Sequence, residues 1–262
     1  MTIVRDIIAH IEGLAGHPLG RDEGVHHGAA DRPVGVVTVS WMATPGAIHV
    51  AGMARSELLI VHESLYFPYD VVISRDPPPG WQEWRVNRQR KELLERYDLT
   101  CLRVHGSADE ICILDAFAAL LGLGEPVHVD GLVKVYEIPP LSLGTLTQRV
   151  KKALGMAHLR VGAPWDAERL VHRVGLPWGG LGLFVNVSYQ QQLVSQGCDV
   201  FIAGETDNYG FRFAAECDIP MIETSHEFSE NAGLRRFTEM LASAFPGVSF
   251  RFHEDECIWH VE

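Results

Sequence analysis

Ile3, Ile7, Ile11 and Leu14 recur at helical spacing, with Asp6, His10 and Glu12 between them, so an amphipathic helix rather than a signal peptide is expected at the start. Short apolar runs follow at Val34–Ser40 (VGVVTVS), Leu58–Val61, Thr100–Val104 and Val200–Ala203, each flanked by polar or turn residues. They predict strands. A short helix separates the first two. Further helical patterns cover Glu83–Tyr97, Asp109–Leu121, Leu143–Leu154 and Tyr189–Gly197, and Leu181–Val187 forms another apolar segment. This alternation predicts an α/β fold. Pro139-Pro140 interrupts the pattern and marks an expected boundary. The expected units are 1–138 and 139–262, the C-terminal part of the second packing back on the first.

The two halves share a pattern. SELLIVHES (Ser56–Ser64) matches CDVFIAGET (Cys198–Thr206) in its acid, apolar run and terminal Glu with a hydroxyl residue. YDLTCLRVHGSAD (Tyr97–Asp109) matches CDIPMIETSHEFSE (Cys217–Glu230), where an Asp precedes a short strand and then His-x-x-x-carboxylate. The expected architecture is two similar α/β units with mixed sheets flanked by helices, related by internal duplication.

A formal net charge of −12 disfavours nucleic acid, whose phosphates need clustered Lys and Arg. The one basic stretch, Arg85–Arg96, alternates with Glu and predicts a solvated helix face. No apolar run approaches the roughly 20 residues that span a bilayer. Five scattered cysteines without a CxxC spacing predict reduced, mostly buried thiols and a cytoplasmic protein.

Thirteen histidines are many for this length, and three fall at strand ends together with carboxylates. The end of a strand in an open α/β sheet is where ligands bind. His62 and Glu63 follow LLIV, His105 and Asp109 follow TCLRV, and His226 and Glu230 follow IPMIETS. In the last two pairs, four-residue spacing at a helix start turns both side chains the same way. Imidazoles and carboxylates suit Zn²⁺, Mn²⁺, Fe²⁺ or Mg²⁺. Six such groups exceed the needs of one ion with an open position and match two ions sharing a bridging carboxylate. Taken singly, each His is more often a strand-end capping or surface residue than a ligand, and Asp109 or Glu230 a first-turn acid.

At these residues the chain resembles the Nif-three-like family, the GTP cyclohydrolase I type 2 homologues. That family has a strand ending in His-His, then His-Thr-x-x-Asp, then Gly-His-x-x-x-Glu. Here the corresponding segments are LLIVHESLYF (Leu58–Phe67), VHGSAD (Val104–Asp109) and TSHEFSE (Thr224–Glu230), with Gly197–Glu230 similar to the longest signature. The resemblance covers nearly the whole chain, in the short form without a central insert. It implies a dinuclear metal centre held by His62, Glu63, His105, Asp109, His226 and Glu230, and a ring-like homohexamer. Glu63 replaces the second His, which should favour harder ions or weaken one of the two sites. Gly106-Ser107-Ala108 replaces the usual Thr-Asn-Leu.

Other motifs are weaker. His26-His27-Gly28 is expected in a loop, Gly179-Gly180-Leu181-Gly182 in a tight turn without P-loop spacing, and His253 and His260 on a solvent-facing final strand. Glu205, the counterpart of Glu63 in the second half, is a candidate to orient a ligand or act as a general base. The expected function is metal-dependent hydrolysis of a small nucleotide-like molecule, cyclohydrolase-like through the resemblance. The alternative is a non-enzymatic metal-binding or metal-delivery protein.

Overall fold

The computed structural model describes residues 1–259, so His260 lies outside the described residues. The chain divides into two units, one of residues 1–113 with the segment from Gly233 onward, the other of residues 114–232.

The first unit opens with helix α1 (Val4–Ala15), which buries Val4, Ile7 and Ile11 on one face. Strand β1 (Gly24–His27), strand β2 (Val36–Ser40), helix α2 (Pro45–Met53), strand β3 (Leu58–Val61) and helix α3 (Arg85–Arg96) follow. Strand β4 (Thr100–Arg103) leads into the short helix α4 (Gly106–Ala108) and a π-helical turn, Asp109–Ile113. Thr44 starts α2 by accepting a hydrogen bond from the Ala47 N–H at 3.0 Å, with Pro45 pre-set in the first turn. On α3 only Asn87, Arg90 and Leu94 are buried. The solvated face expected there exists, but Arg90 is a correction to it. Its guanidinium donates to the Leu65 carbonyl at 2.6 Å and lies over the Phe67 ring.

In the second unit the order is helix α5 (Leu114–Leu121), strands β5 (Pro126–Asp130) and β6 (Val133–Ser142), helix α6 (Leu143–Leu154), and strands β7 (Arg160–Val161) and β8 (Leu170–Gly175). Helix α7 (Val187–Ser195), strand β9 (Val200–Ala203), helix α8 (Asn208–Glu216) and strand β10 (Met221–Glu223) complete its core. Helix α9 (His226–Ala244) begins in this unit and ends in the first, to which strand β11 (Ser249–His253) belongs. Pro139 and Pro140 do not break the pattern. They lie inside β6, where the register with β8 is irregular between Glu137 and Leu141, so their missing N–H groups cost no regular ladder bond.

Each unit is built on one mixed sheet. The orders are β1-β4-β3-β2-β11 and β5-β6-β8-β9-β10-β7. In the first, β2, β3 and β4 run parallel and β1 pairs antiparallel with β4. In the second, β8, β9 and β10 run parallel and β7 pairs antiparallel with β10. The two units therefore repeat a four-strand core, and the segments matched in sequence occupy equivalent strands within it. The central strands β3 (LLIV) and β9 (VFIA) are buried at every residue, as parallel strands covered on both faces must be. Continuous apolar runs give them away, and the residues just after them inherit the functional edge. Among the described residues no helix is long and apolar enough to cross a membrane.

Candidate metal centre

In the first unit the parallel pair β3 and β4 fixes where two histidines emerge. Val61 is in register with Arg103, so His62 and Glu63 leave one strand beside Val104 and His105 leaving the other. His62 and Glu63 are buried and His105 partly so. Each offers a ligand atom, and the three atoms lie within 4.8 Å of one another. Asp109, at the start of the π-helical turn, puts Oδ1 3.9 Å from His62 Nε2.

The ring nitrogens are assigned by their partners. His62 Nδ1 lies 3.1 Å from the Val104 carbonyl, which can only accept, so Nδ1 carries the proton and Nε2 the lone pair. His105 Nδ1 lies 2.8 Å from Asp22 Oδ2, with the same consequence. A carboxylate behind a histidine fixes tautomer and ring orientation and raises the basicity of the ligating nitrogen. The hydrogen bond from His105, with the Arg103 charge, holds Asp22 down to about 2. Its neighbour Glu23 accepts from the His105 and Ser107 N–H groups at 2.7 and 3.0 Å, satisfying the first amide donors of α4.

Arg103 supplies the opposing charge. Its side chain is fully buried, and it donates through Nε to the His62 carbonyl at 3.1 Å and through Nη1 to Asp70. Its Nη2 lies 4.0 Å from Glu63 Oε2. Burial works against the guanidinium, but Tyr69 and Asp70 outweigh it and raise its pKa. A buried Glu at position 63 is thus accompanied by a buried cation. Tyr69 presents its hydroxyl to Arg103 Nη2 at 2.8 Å and to His105 Nε2 at 3.4 Å. Desolvation, followed by the Glu63 charge, raises its pKa.

In the second unit the strand ends of β9 and β10 play the equivalent part. Ser225, in the left-handed region at φ 74°, turns the chain sharply out of β10 so that α9 opens on His226. His226 Nδ1 lies 3.2 Å from Glu205 Oε2, and His226 Nε2 lies 3.2 Å from the buried Glu230 Oε1. Glu205 thus stands to His226 as Asp22 stands to His105. The Gly179–Gly182 turn wraps these groups. The Gly179 N–H donates to Ser229 Oγ at 2.9 Å and its carbonyl accepts from the Glu205 N–H at 2.7 Å. A Cβ at Gly179 would collide with Glu230 Oε1 and come within 3.2 Å of His226 Nε2. The backbone itself is the wall of the His226–Glu230 pair.

Within each unit, then, the expected residues assemble: His62, Glu63, His105 and Asp109 in one, His226 and Glu230 with Glu205 in the other. His26 and His27 are not in a loop. They lie in β1 against β4, and among the described residues neither belongs to any group of three potential ligands. Asp22, Glu23, Tyr69 and Arg103 were not expected. Only Arg103 carried a signal, as a lone charge in the apolar run TCLRV.

A model of the Duf34/NIF3 (NGG1p interacting factor 3) family matches residues 3–256. The chain belongs to this family. It is 23% identical over 222 residues to a GTP cyclohydrolase 1 type 2 homolog of Neisseria meningitidis serogroup A, covering 81% of each protein. Among solved structures it is similar to protein ybgI, described as of unknown function, with a TM-score of 0.79, 19% identity and coverage of 98% of this chain and 99% of that one. A Bacillus cereus protein related to NIF3 aligns with a TM-score of 0.76 and 13% identity over 100% of this chain and 98% of that chain. At such identities these structures establish the Duf34/NIF3 fold and leave the chemistry to the residues.

Proposed function

We propose that the protein holds two divalent ions with the ligand sets of its two units, His62, Glu63, His105 and Asp109 from the first and His226 and Glu230 from the second, and uses them to hydrolyse a small nucleotide-like molecule. The observation that carries this reading is the gathering of His62, Glu63 and His105, whose ligand atoms lie within 4.8 Å of one another. His62 and His105 engage acceptors through Nδ1, a carbonyl and a carboxylate, and so keep the lone pair on Nε2, whereas His226 stands 3.2 Å from a carboxylate oxygen at each ring nitrogen, Glu205 at Nδ1 and Glu230 at Nε2. An imidazole whose Nδ1 proton is held by an acceptor presents the lone pair of Nε2 to a metal ion.

The donor set is nitrogen and oxygen without a thiolate, which suits Zn²⁺, Mn²⁺, Fe²⁺ or Mg²⁺, and Glu63 in place of a His favours the harder of these. When bound, such a pair supplies Lewis acidity and lowers the pKa of a water to near neutrality. The chain's own residues do the rest. Asp22 and Glu205 hold the imidazoles, Arg103 offsets the carboxylate of Glu63, and the Gly179 backbone seats Glu230. The name of the Neisseria relative supports a cyclohydrolase-type reaction on a C–N bond, and a homohexamer in the cytoplasm remains part of the proposal through the family resemblance. The test is turnover of nucleotide phosphates, GTP included, by metal-loaded protein. Asp109→Ala and Glu230→Ala should lose bound metal and turnover together. Loss of metal without any change in rate above background would leave a metal-binding or metal-delivery protein instead.

A further inference from the structure

We propose that Tyr69 is the hydrogen-bond donor to a small anionic or carbonyl-bearing ligand that enters beside His105, a role that rests on the metal reading above. The hydroxyl is caught between two groups. Arg103 Nη2, which can only donate, fills one lone pair of Tyr69 Oη at 2.8 Å. The phenolic proton must therefore point away from Arg103. The acceptor on that side is His105 Nε2 at 3.4 Å, and Asp22 on Nδ1 fixes that nitrogen as the one with the lone pair. Once His105 Nε2 gives its lone pair to a cation it can no longer accept from Tyr69. The O–H is then released from His105 and free to turn to an acceptor that a ligand brings.

Three features hold the hydroxyl there. The Arg103 guanidinium lies 5.1 Å from the centre of the Tyr69 ring, in cation–π range. The next residue, Asp70, takes a left-handed backbone conformation at φ 54° and binds the same guanidinium through its carboxylate. The Asp70 N–H donates to Ser64 Oγ at 3.1 Å, which anchors the turn to the segment directly after His62-Glu63. A left-handed non-glycine residue costs energy, and here it lets residues 69 and 70 clamp one arginine from two sides. Tyr69 as a whole is 54% exposed, so an incoming ligand can reach it, while its hydroxyl is bonded to a fully buried side chain. The ligand class follows from the donor: a compact acceptor such as a carboxylate, phosphate or carbonyl oxygen.

The experiment uses Co²⁺-loaded full-length protein with azide as the probe. Cobalt affinity is measured by chelator competition and azide binding by the change in the cobalt visible spectrum. Tyr69→Phe should leave cobalt affinity unchanged and weaken azide about tenfold, the loss of one hydrogen bond to a charged acceptor. Equal azide affinity in both proteins overturns the donor role while leaving the metal centre standing. Loss of cobalt from Tyr69→Phe also overturns it, because Tyr69 would then be part of what holds the ion. Cobalt-loaded wild type that gives no azide response shows no open position beside His105 and has the same consequence. Failure of the wild type to take up cobalt removes the metal reading and this one with it.

Discussion

His105 Nδ1 stands 2.8 Å from Asp22 Oδ2, across a sequence separation of 83 residues, and this contact decides which nitrogen of His105 can ligate. The matching contact in the other unit, His226 Nδ1 to Glu205 Oε2, is longer at 3.2 Å. Replacing such carboxylates costs about 10–100-fold in metal affinity in comparable sites. Asp22→Asn is expected to fall in that range while the protein stays folded, and Glu205→Gln nearer its lower end. Chelator competition with each purified variant checks this. Wild-type affinity in Asp22→Asn would mean that the tautomer of His105 is not fixed by this contact.

Gly179 allows a second test, because space rather than chemistry is at issue. Its missing Cβ is where Glu230 Oε1 sits. Gly179→Ala should displace the Glu230 carboxylate and weaken metal binding by at least about tenfold, the scale set by lost ligand positioning. Gly80, at φ 68° with open space where a Cβ would stand, serves as the control, since Gly80→Ala carries backbone strain alone and should keep wild-type metal affinity.

Ser225 offers a test of backbone strain. It holds φ 74°, a conformation that costs a non-glycine residue about 1–2 kcal/mol. Glycine removes that cost but loses about 0.4–1 kcal/mol through its freer unfolded chain. Glycine also gives up the hydrogen bond that Ser225 Oγ donates to Glu227 Oε2 at 2.7 Å, so Ser225→Gly should stay within about 1 kcal/mol of wild type, a shift of under roughly 4 °C in a thermal melt. Ser225→Val should melt lower than wild type. The family pattern has Gly at this position, so the serine is a tolerated strain in the turn that presents His226.

The cysteines give a chemical readout of the fold. Cys101, Cys112 and Cys198 are buried, and burial pushes the thiols of Cys101 and Cys198 up to about 12. Cys257 is exposed. Only thiolates react with disulfide reagents, so at neutral pH Cys257 should be modified first and the three buried thiols only on unfolding. Mass mapping of the native and denatured protein distinguishes them. Rapid native labelling of Cys101 would contradict the packing of β4.

Much of this fold is legible in one sequence because its parallel strands are short apolar runs with turn residues at both ends. The observed β3 and β9 match the expected Leu58–Val61 and Val200–Ala203, and α6 matches Leu143–Leu154, where Ser142 accepts from the Thr145 N–H as an N-cap. What escaped notice lacks that signature. Strand β1, Gly-Val-His-His, has no apolar run, and it exists because it pairs with β4 across more than 70 residues. Strand β6 runs through two prolines because an irregular register there spares their missing donors. The strand-end histidines and acids stood out, whereas Asp22, Glu23 and Tyr69 lie on polar segments. Their roles come from long-range contacts to His105 and Arg103 that no local spacing encodes.

Metal stoichiometry decides the matter most simply. Freshly purified full-length protein, and the same protein reloaded after chelation, would be assayed for bound metal by plasma mass spectrometry. The proposed pair of ions predicts about two ions per chain in the wild type, with both Asp109→Ala and Glu230→Ala binding fewer. A wild-type chain that retains no divalent ion, or variants that bind as much as wild type, would contradict it.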